Sequence, residues 1–404
     1  MSERIVIIGA GQAAAQAAQS LRAEGFAGTI VMLGDEPYWP YQRPPLSKKF
    51  LAGEMELERL FIRPAEFYAE ARIDARLNES ATRIDRAEHR VVTKSGETIP
   101  YDQLLIATGS RVRTLDMKGA ALKGIHYLRG VDDVRGIQAD FKPGAKMVIV
   151  GAGYIGLEVA AVAVKRGIAV TVLEMAPRVM ARVVSEPIST FFDRTHRAAG
   201  VDIKLGLGVE GFEGEDRVTG VRAGGTRFAA DAVIVGVGIL PNVELARDAG
   251  LPCENGIVVD DCARTADAAI FAAGDCTNHP NALLGKRLRL ESVQNAIDQA
   301  KAAAAAMCGK PKPYAEVPWF WSDQYEYKLQ IAGLIEPGDT QVVRGDPASG
   351  KFANFHLRGG AIAAVECVNA APEFMMGRQL IAKKAAVAPE RLGDVNIPMK
   401  QLLA

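Results

Sequence analysis

Two glycine-rich turns, Gly9-Ala10-Gly11-Gln12-Ala13-Ala14 and Gly151-Ala152-Gly153-Tyr154-Ile155-Gly156, lie about 140 residues apart in the chain. Each follows a run of apolar strand formers and opens an alanine-rich helical stretch. A turn of this kind offers free backbone N–H groups and the positive end of a helix dipole to a pyrophosphate. One turn takes one dinucleotide, so two turns in one chain require two nucleotide-binding halves. The surroundings repeat as well. Residues 4–34 read as strand Ile5–Ile8, a helix from Ala13 to about Gly25, and strand Thr29–Leu33. Residues 147–174 read as strand Met147–Val150, a helix from Ile155 to about Gly167, and strand Ala169–Leu173. Both are the opening βαβ of a doubly wound parallel sheet.

Composition agrees and narrows the class. A chain of 404 residues is too long for one compact core, and 49% apolar residues without a low-complexity tract predict that it folds throughout. Lys+Arg and Asp+Glu both number 48, which gives no global attraction to nucleic acid or to an anionic membrane. The apolar stretch 148–164 is broken by three glycines and Glu158 and reads as strand, turn and helix rather than a membrane span. A strand already under way at Arg4 leaves no room for a signal peptide, so a cytoplasmic protein is expected. The five cysteines, at 253, 262, 276, 308 and 367, are odd in number and contain no Cys-x-x-Cys. Neither a disulfide framework nor a metal site is expected from them.

Two further strand ends with glycine, Leu104-Leu105-Ile106-Ala107-Thr108-Gly109 and Ala232-Val233-Ile234-Val235-Gly236-Val237-Gly238, bracket the second repeat. They read as crossings between interleaved domains. The first nucleotide domain is then expected at 1–109, resumed at 238–316, with the second at 110–237 between them. From about 317 to 404 the pattern changes to short strands, Leu329–Leu334, Gln341–Arg344, Phe352–Leu357 and Ile362–Val368, with a helix near Glu373–Lys384. That is a separate α+β domain.

Within the first turn, Gly9 allows the tight bend, Gly11 lets a pyrophosphate approach, and Ala14 keeps the helix close to the strand. Asp35 follows the next strand, where it can accept from a ribose hydroxyl. In the second turn Glu174 ends the corresponding strand. An acid there favours NADH and repels the extra phosphate of NADPH by at most about 4 kcal/mol at intermediate dielectric. Arg178, four residues on, either softens that preference or is a plain surface charge. The run Ile270-Phe271-Ala272-Ala273-Gly274-Asp275 is a strand and turn that, beside two dinucleotide turns, makes Asp275 a candidate flavin contact. Two different dinucleotides in one chain suit hydride transfer from a nicotinamide to a flavin.

Together with these turns, Arg43-Pro44-Pro45-Leu46-Ser47-Lys48, Ala107-Thr108-Gly109, Gly274-Asp275-Cys276, Glu291-Ser292-Val293 and Pro318-Trp319-Phe320-Trp321-Ser322-Asp323-Gln324 carry a resemblance. The chain resembles the NADH-dependent ferredoxin reductases of bacterial oxygenase systems, the putidaredoxin reductase-like flavoproteins. The resemblance runs from about Ile5 to Leu392-Gly393-Asp394, and the Trp-Phe-Trp-Ser-Asp-Gln segment is its most specific part. It implies a glutathione-reductase-like α/β fold: two Rossmann-type domains, for FAD and NAD, and a C-terminal α+β domain. By matching position, FAD would meet Gly9, Gly11, Ala13, Ala14 and Asp35 in the first turn and its acid. It would further meet Lys48, Ala81, Thr108, Gly109 and Arg129, then Gly274, Asp275, Val293 and Trp321. NADH would meet Gly151, Gly153, Tyr154, Ile155 and Gly156, with Glu158, Glu174 and Gly238.

The implied reaction takes hydride from NADH to FAD and passes electrons singly to a two-iron two-sulfur ferredoxin that supplies an oxygenase. That oxygenase is a haem-thiolate monooxygenase or a Rieske dioxygenase. Lys48 and Glu158 match the family's paired residues near the flavin and the nicotinamide; the plainer alternative is a surface lysine and a helix-face glutamate. Trp319 and Trp321 share one face of an extended segment, with Phe320 opposite. Trp321 would then shield the flavin toward the ferredoxin, relaying electrons or only packing. Lys301, Lys383, Lys384 and Lys400 are candidates for a basic docking rim. Two rivals share the fold. A disulfide or peroxide reductase needs a cysteine beside the flavin, and this chain has Pro44-Pro45-Leu46-Ser47-Lys48 there. A binding flavoprotein resembling apoptosis-inducing factor would carry a long C-terminal insertion, which the sequence lacks.

Overall fold

The computed structural model describes residues 3–402, so the outermost two positions at each end of the expected domain ranges lie outside it. The chain divides into two compact units, one of residues 1–42, 56–111 and 240–318, the other of 43–55, 112–239 and 319–404.

The first unit is built on a five-stranded parallel sheet. Its order is Ile270–Ala272, Gln103–Ile106, Arg4–Ile8, Thr29–Leu33, Ile73–Arg76. Successive side chains of a strand point to opposite faces. Ile5 and Ile7 accordingly enter one cluster, with Ala14, Ala17, Leu21, Ala300 and Ala304 of the helices Gln12–Ala23 and Val293–Met307. Val6 and Ile8 enter the other, with Val31, Leu33, Leu104 and Ala272. A parallel sheet buried on both faces explains why these strands read as unbroken apolar runs. The alanines of both helices let them pack closely on the sheet. The unit also holds a three-stranded antiparallel sheet, Ala81–Asp85, Arg90–Thr93 and Thr98–Pro100, and another three-stranded sheet of Ile257–Val258, Thr277–Asn281 and Lys286–Leu288.

The second unit holds another five-stranded parallel sheet. Here the order is Asp202–Leu205, Ala169–Glu174, Lys146–Val150, Ala232–Val235, Ile125–Tyr127. In both units the strand that leads into a glycine turn is central, flanked by the next strand of its βαβ on one side and a later strand on the other. That is the switch point at which doubly wound sheets open a crevice for a ligand. A five-stranded antiparallel sheet follows in the order Trp319–Gln324, Tyr327–Gly333, Ala361–Val368, Lys351–Arg358, Thr340–Asp346, covered by the helix Ala371–Ala382. The helix begins two residues before its predicted start because Pro372 fits a first turn, where its missing N–H costs nothing. Among the described residues no helix is long and apolar enough to cross a membrane.

Candidate functional site

The first unit presents one half of the candidate residues. Gly9 has φ +119°, and a Cβ there would lie 2.3 Å from the Ala107 carbonyl oxygen, so only glycine closes this turn. At Gly11 a Cβ would meet no atom within 4 Å. The space stands open where the backbone can approach a phosphate. The helix Gln12–Ala23 starts at Gly11 with no side chain on its free N–H groups and no acid in its first turn. Uncapped donors of this kind are what an anion uses. Ala13 and Ala14 are buried behind them.

Thr108 and Gly109 lie beside this turn, and Asn242, a residue that sequence reasoning missed, fixes both. Thr108 Oγ1 donates to the Asn242 carbonyl at 2.8 Å, Asn242 Nδ2 donates to the Thr108 carbonyl at 2.9 Å, and the Asn242 N–H reaches the Gly109 carbonyl at 3.0 Å. The Gly274-Asp275 turn is held in a similar way. Gln299 Oε1 accepts from the Gly274 N–H at 2.9 Å and from Thr277 Oγ1 at 2.8 Å, while Ser110 Oγ donates to Asp275 Oδ2 at 2.8 Å. No local motif marks Asn242 or Gln299, since each acts across more than twenty residues of chain. Val293 is the first residue of its helix, behind the Ser292 cap. Ala81 starts an antiparallel strand and packs against the cluster of Ile8, Leu33 and Leu104. Asp35 is exposed one residue past the register of its sheet. Ile8 pairs with Leu33, so Gly34 takes the next position, and a Cβ there would be 2.7 Å from Ala10 Cβ.

The second unit repeats the turn with tighter packing. A Cβ at Gly151 would lie 2.5 Å from the Gly236 oxygen, one at Gly156 2.2 Å from the Gly151 oxygen, and one at Gly153 would meet nothing within 4 Å. The helix Tyr154–Lys165 likewise starts with uncapped N–H groups and no acid in its first turn. Here Val150 pairs with Leu173, and Glu174 occupies the position that Gly34 takes in the first repeat. Its carboxylate accepts from the N–H groups of Ala152 at 2.7 Å and Ala176 at 2.8 Å, which fixes the acid over the turn. Arg178 is half-buried and held by the loop that follows it. Its guanidinium donates to the carbonyls of Val184 at 2.8 Å and Ala181 at 2.9 Å. Ile155 is exposed at the mouth, and Gly238 adopts φ +108° while its carbonyl accepts from the Arg113 N–H at 2.9 Å.

Lys48 and Glu158 meet in this unit. Lys48 Nζ is 2.7 Å from Glu158 Oε2, with the lysine 19% and the glutamate 3% exposed. Ser47 Oγ donates to the same oxygen at 2.5 Å, and Ser322 Oγ donates to Oε1 at 2.6 Å. A carboxylate taken out of water is tolerated when it is paired and both oxygens are hydrogen-bonded, as they are here. Tyr154, one helical turn before Glu158, stacks on Phe320 with centroids 4.6 Å apart; burial pushes its phenol up, so it stays neutral. Trp319 and Trp321 lie together at 5.5 Å, on the face of their strand away from Ser322, and Arg378 sits over the Trp319 ring. Arg129 precedes a helix whose Asp133 caps its N–H, and its carbonyl accepts from Arg43 Nη1 at 2.6 Å. Lys383, Lys384 and Lys400 are exposed in this unit, whereas Lys301, in the first, pairs with Asp298 on its own helix.

The cysteines have no nucleophilic setting. All five are free, and burial raises each thiol: Cys276 and Cys262 to about 11, Cys367 well above the usual range. A thiol held protonated at neutral pH is a poor attacking group.

Residues 3–300 match the family described as pyridine nucleotide-disulphide oxidoreductase, and 319–403 match the reductase C-terminal family. The chain is 47% identical to a probable ferredoxin reductase of Castellaniella defragrans, over 99% of both chains. It is 43% identical, over the full length of both, to the ferredoxin–NAD(+) reductase component of an anthranilate 1,2-dioxygenase system of Burkholderia cepacia. Among solved structures it resembles the covalent putidaredoxin reductase–putidaredoxin complex, with a TM-score of 0.97, 41% identity, and 99% and 98% of the two chains covered.

Proposed function

The chain belongs to the pyridine nucleotide-disulphide oxidoreductase family, among the ferredoxin reductases of oxygenase systems, and on that premise we propose that it uses NADH in preference to NADPH, through the residues assembled above. One observation carries the reading. Each unit sets a glycine turn on the central strand of its own parallel sheet, with an open second glycine and an uncapped helix start. The residues fit two dinucleotides: Gly11 and Gly153 leave the space a pyrophosphate needs, and both helix starts offer it N–H donors.

The first turn would hold FAD, with Asp35 at the adenosine end. Thr108, Gly109, Gly274 and Asp275 would line the flavin half, with a contact from Val293 and a weaker one from Ala81. When bound, FAD supplies a centre that accepts two electrons as hydride and gives them up one at a time. The second turn would hold NADH. Glu174 accepts from the adenosine ribose and repels a 2′-phosphate, and Arg178, spent on two carbonyls, offers that phosphate nothing. Lys48 and Glu158 fix the nicotinamide amide, so alignment rather than acid–base chemistry carries the rate. Trp321 would shelter the ring from water. Exposed Lys383, Lys384 and Lys400 would meet an acidic two-iron ferredoxin, with the oxygenase reached only through that carrier.

The protonated cysteines weigh against a disulfide or peroxide reductase. The test is anaerobic mixing of the yellow holoprotein with NADH or NADPH, then with oxidised two-iron ferredoxin, while flavin absorbance is followed. Fast bleaching by NADH and recovery on ferredoxin is expected. Equal rates with NADPH would overturn the coenzyme assignment.

A further inference from the structure

A strand advances about 6.8 Å between side chains on one face, and a helix about 6 Å between residues four apart, so the two can be matched rung for rung. The strand Trp319–Gln324 and the helix Tyr154–Lys165 show this match. Phe320 meets Tyr154 and Ser322 meets Glu158. The next residue on that face, Gln324, is buried at 1% exposure and meets His196 of the helix Glu186–Ala198. Three polar side chains, Ser322, Gln324 and His196, thus sit in the core with less than 2% exposure. Burying them is costly unless each is bonded, and a buried network that is only part-satisfied is worse than an apolar core.

These bonds have a direction. Gln324 Oε1 lies 2.8 Å from His196 Nε2, so that nitrogen carries the proton. His196 Nδ1 is left to accept from the Tyr325 hydroxyl at 3.1 Å. Gln324 Nε2 donates to Ser322 Oγ at 3.1 Å, and Ser322 Oγ donates to Glu158 Oε1 at 2.6 Å. Every donor from Tyr325 onward points toward Glu158. Burial pulls the His196 imidazole down to about 4, so it keeps this neutral form and the chain keeps its direction across the working pH range. The Gln324 amide has no proton to hand on at the rate of turnover. The chain orients and does not conduct.

We propose that Ser322, Gln324 and His196 are positioning residues for Glu158. They occupy Oε1 so that Oε2 is reserved for Lys48 and Ser47, and they fix the pose in which the nicotinamide is received. The proposal rests on the reading of Lys48 and Glu158 as the nicotinamide pair. The ionisable and charged groups around the chain are few. Lys48 faces Glu158 from the 44–48 segment, Tyr154 from its own helix, and Glu366 acts on Tyr154. Asp193 acts on His196, and Lys165 lies over the Tyr325 ring.

The experiment uses the flavin-loaded protein and measures NADH kcat and KM with ferricyanide as acceptor, NAD+ affinity, and the nitrogen-15 NMR of labelled histidine. For Ser322→Ala, which loses a donor to a charged acceptor, NADH kcat/KM is expected to fall about tenfold or more. NAD+ affinity should fall with it, because the carboxylate is no longer held in one pose. Ser322→Thr, which keeps the hydroxyl, should restore both. Gln324→Leu should lower both in the same way and release the His196 signal from its Nε2–H tautomer; it keeps the proposal testable if Ser322→Ala fails to fold. Wild-type kcat/KM and NAD+ affinity in Ser322→Ala or Gln324→Leu, while Glu158→Gln is slow, would overturn the positioning role alone. An unaffected Glu158→Gln would overturn the nicotinamide pair and the positioning role with it.

Discussion

The two glycine turns have the same backbone plan and differ, among other side chains, at the third small residue and at the acid. In the first, the third small residue is Ala14 and the acid, Asp35, stands one position beyond the sheet register; in the second, the third residue is Gly156 and the acid, Glu174, is in register. The differences follow from how closely each helix sits on its turn. A Cβ at Gly156 would strike the Gly151 oxygen at 2.2 Å, whereas the first helix accommodates the Ala14 methyl in a fully buried place. Close packing of Ala10 against Gly34 likewise leaves no room for a side chain at the in-register position and moves the acid onward. One motif has therefore been adapted twice, and the side chain at the end of the second strand would decide where a ribose is read.

The most severe break of that comparison is Gly156→Ala. The obstacle is backbone oxygen, which cannot step aside, so NADH bleaching of the flavin is expected to slow by about a hundredfold or more through misplacement of the helix. The reciprocal Ala14→Gly should cost about 1 kcal/mol or less, the helical penalty of glycine, with flavin content unchanged by absorbance. Equal effects of the two substitutions would contradict the difference in packing.

Glu174→Ala sharpens the comparison at the acid. The NADH over NADPH ratio of kcat/KM is expected to fall by about ten- to a hundredfold, since a repulsion of a few kcal/mol is removed and no cation replaces it. Asp35→Ala should leave that ratio as it is.

A smaller effect distinguishes the units by pH. His196 in one and His279 in the other are both buried and pulled down to about 4. An unfolded histidine takes up its proton near 6.5, so the unfolded chain gains protons first as pH falls. Stability is then full above about 6.5 and is lost progressively toward 4, by about 3 kcal/mol for each histidine. Neither nitrogen of His279 has a partner, and its ring lies on Tyr314. His279→Phe should hold or raise the denaturant midpoint at pH 7 and flatten its decline between pH 6.5 and 4. An unchanged slope would contradict burial as the cause.

Much of this architecture was legible in the sequence, because the glycine turns, alanine helices and apolar strands are local patterns with a fixed period. The order Ser322-Asp323-Gln324 was visible too, yet nothing in it announced that Ser322 would reach Glu158 and Gln324 would reach His196. Those contacts depend on where a C-terminal strand lies on helices more than a hundred residues earlier. Asn242 and Gln299 escaped notice for the same reason. The resemblance proposed Lys48 and Glu158 as partners, but their bond and burial depend on the packing of segments 110 residues apart.

The most direct test of the central claim, that the first turn holds FAD and the second NADH, is the flavin content of Gly11→Val and Gly153→Val. Neither new side chain meets a protein atom within 4 Å of its Cβ, and each projects into the space left for a pyrophosphate. Gly11→Val is predicted to purify colourless, and Gly153→Val yellow with full flavin that NADH no longer bleaches. A colourless Gly153→Val, or a yellow Gly11→Val that NADH reduces normally, would contradict the assignment.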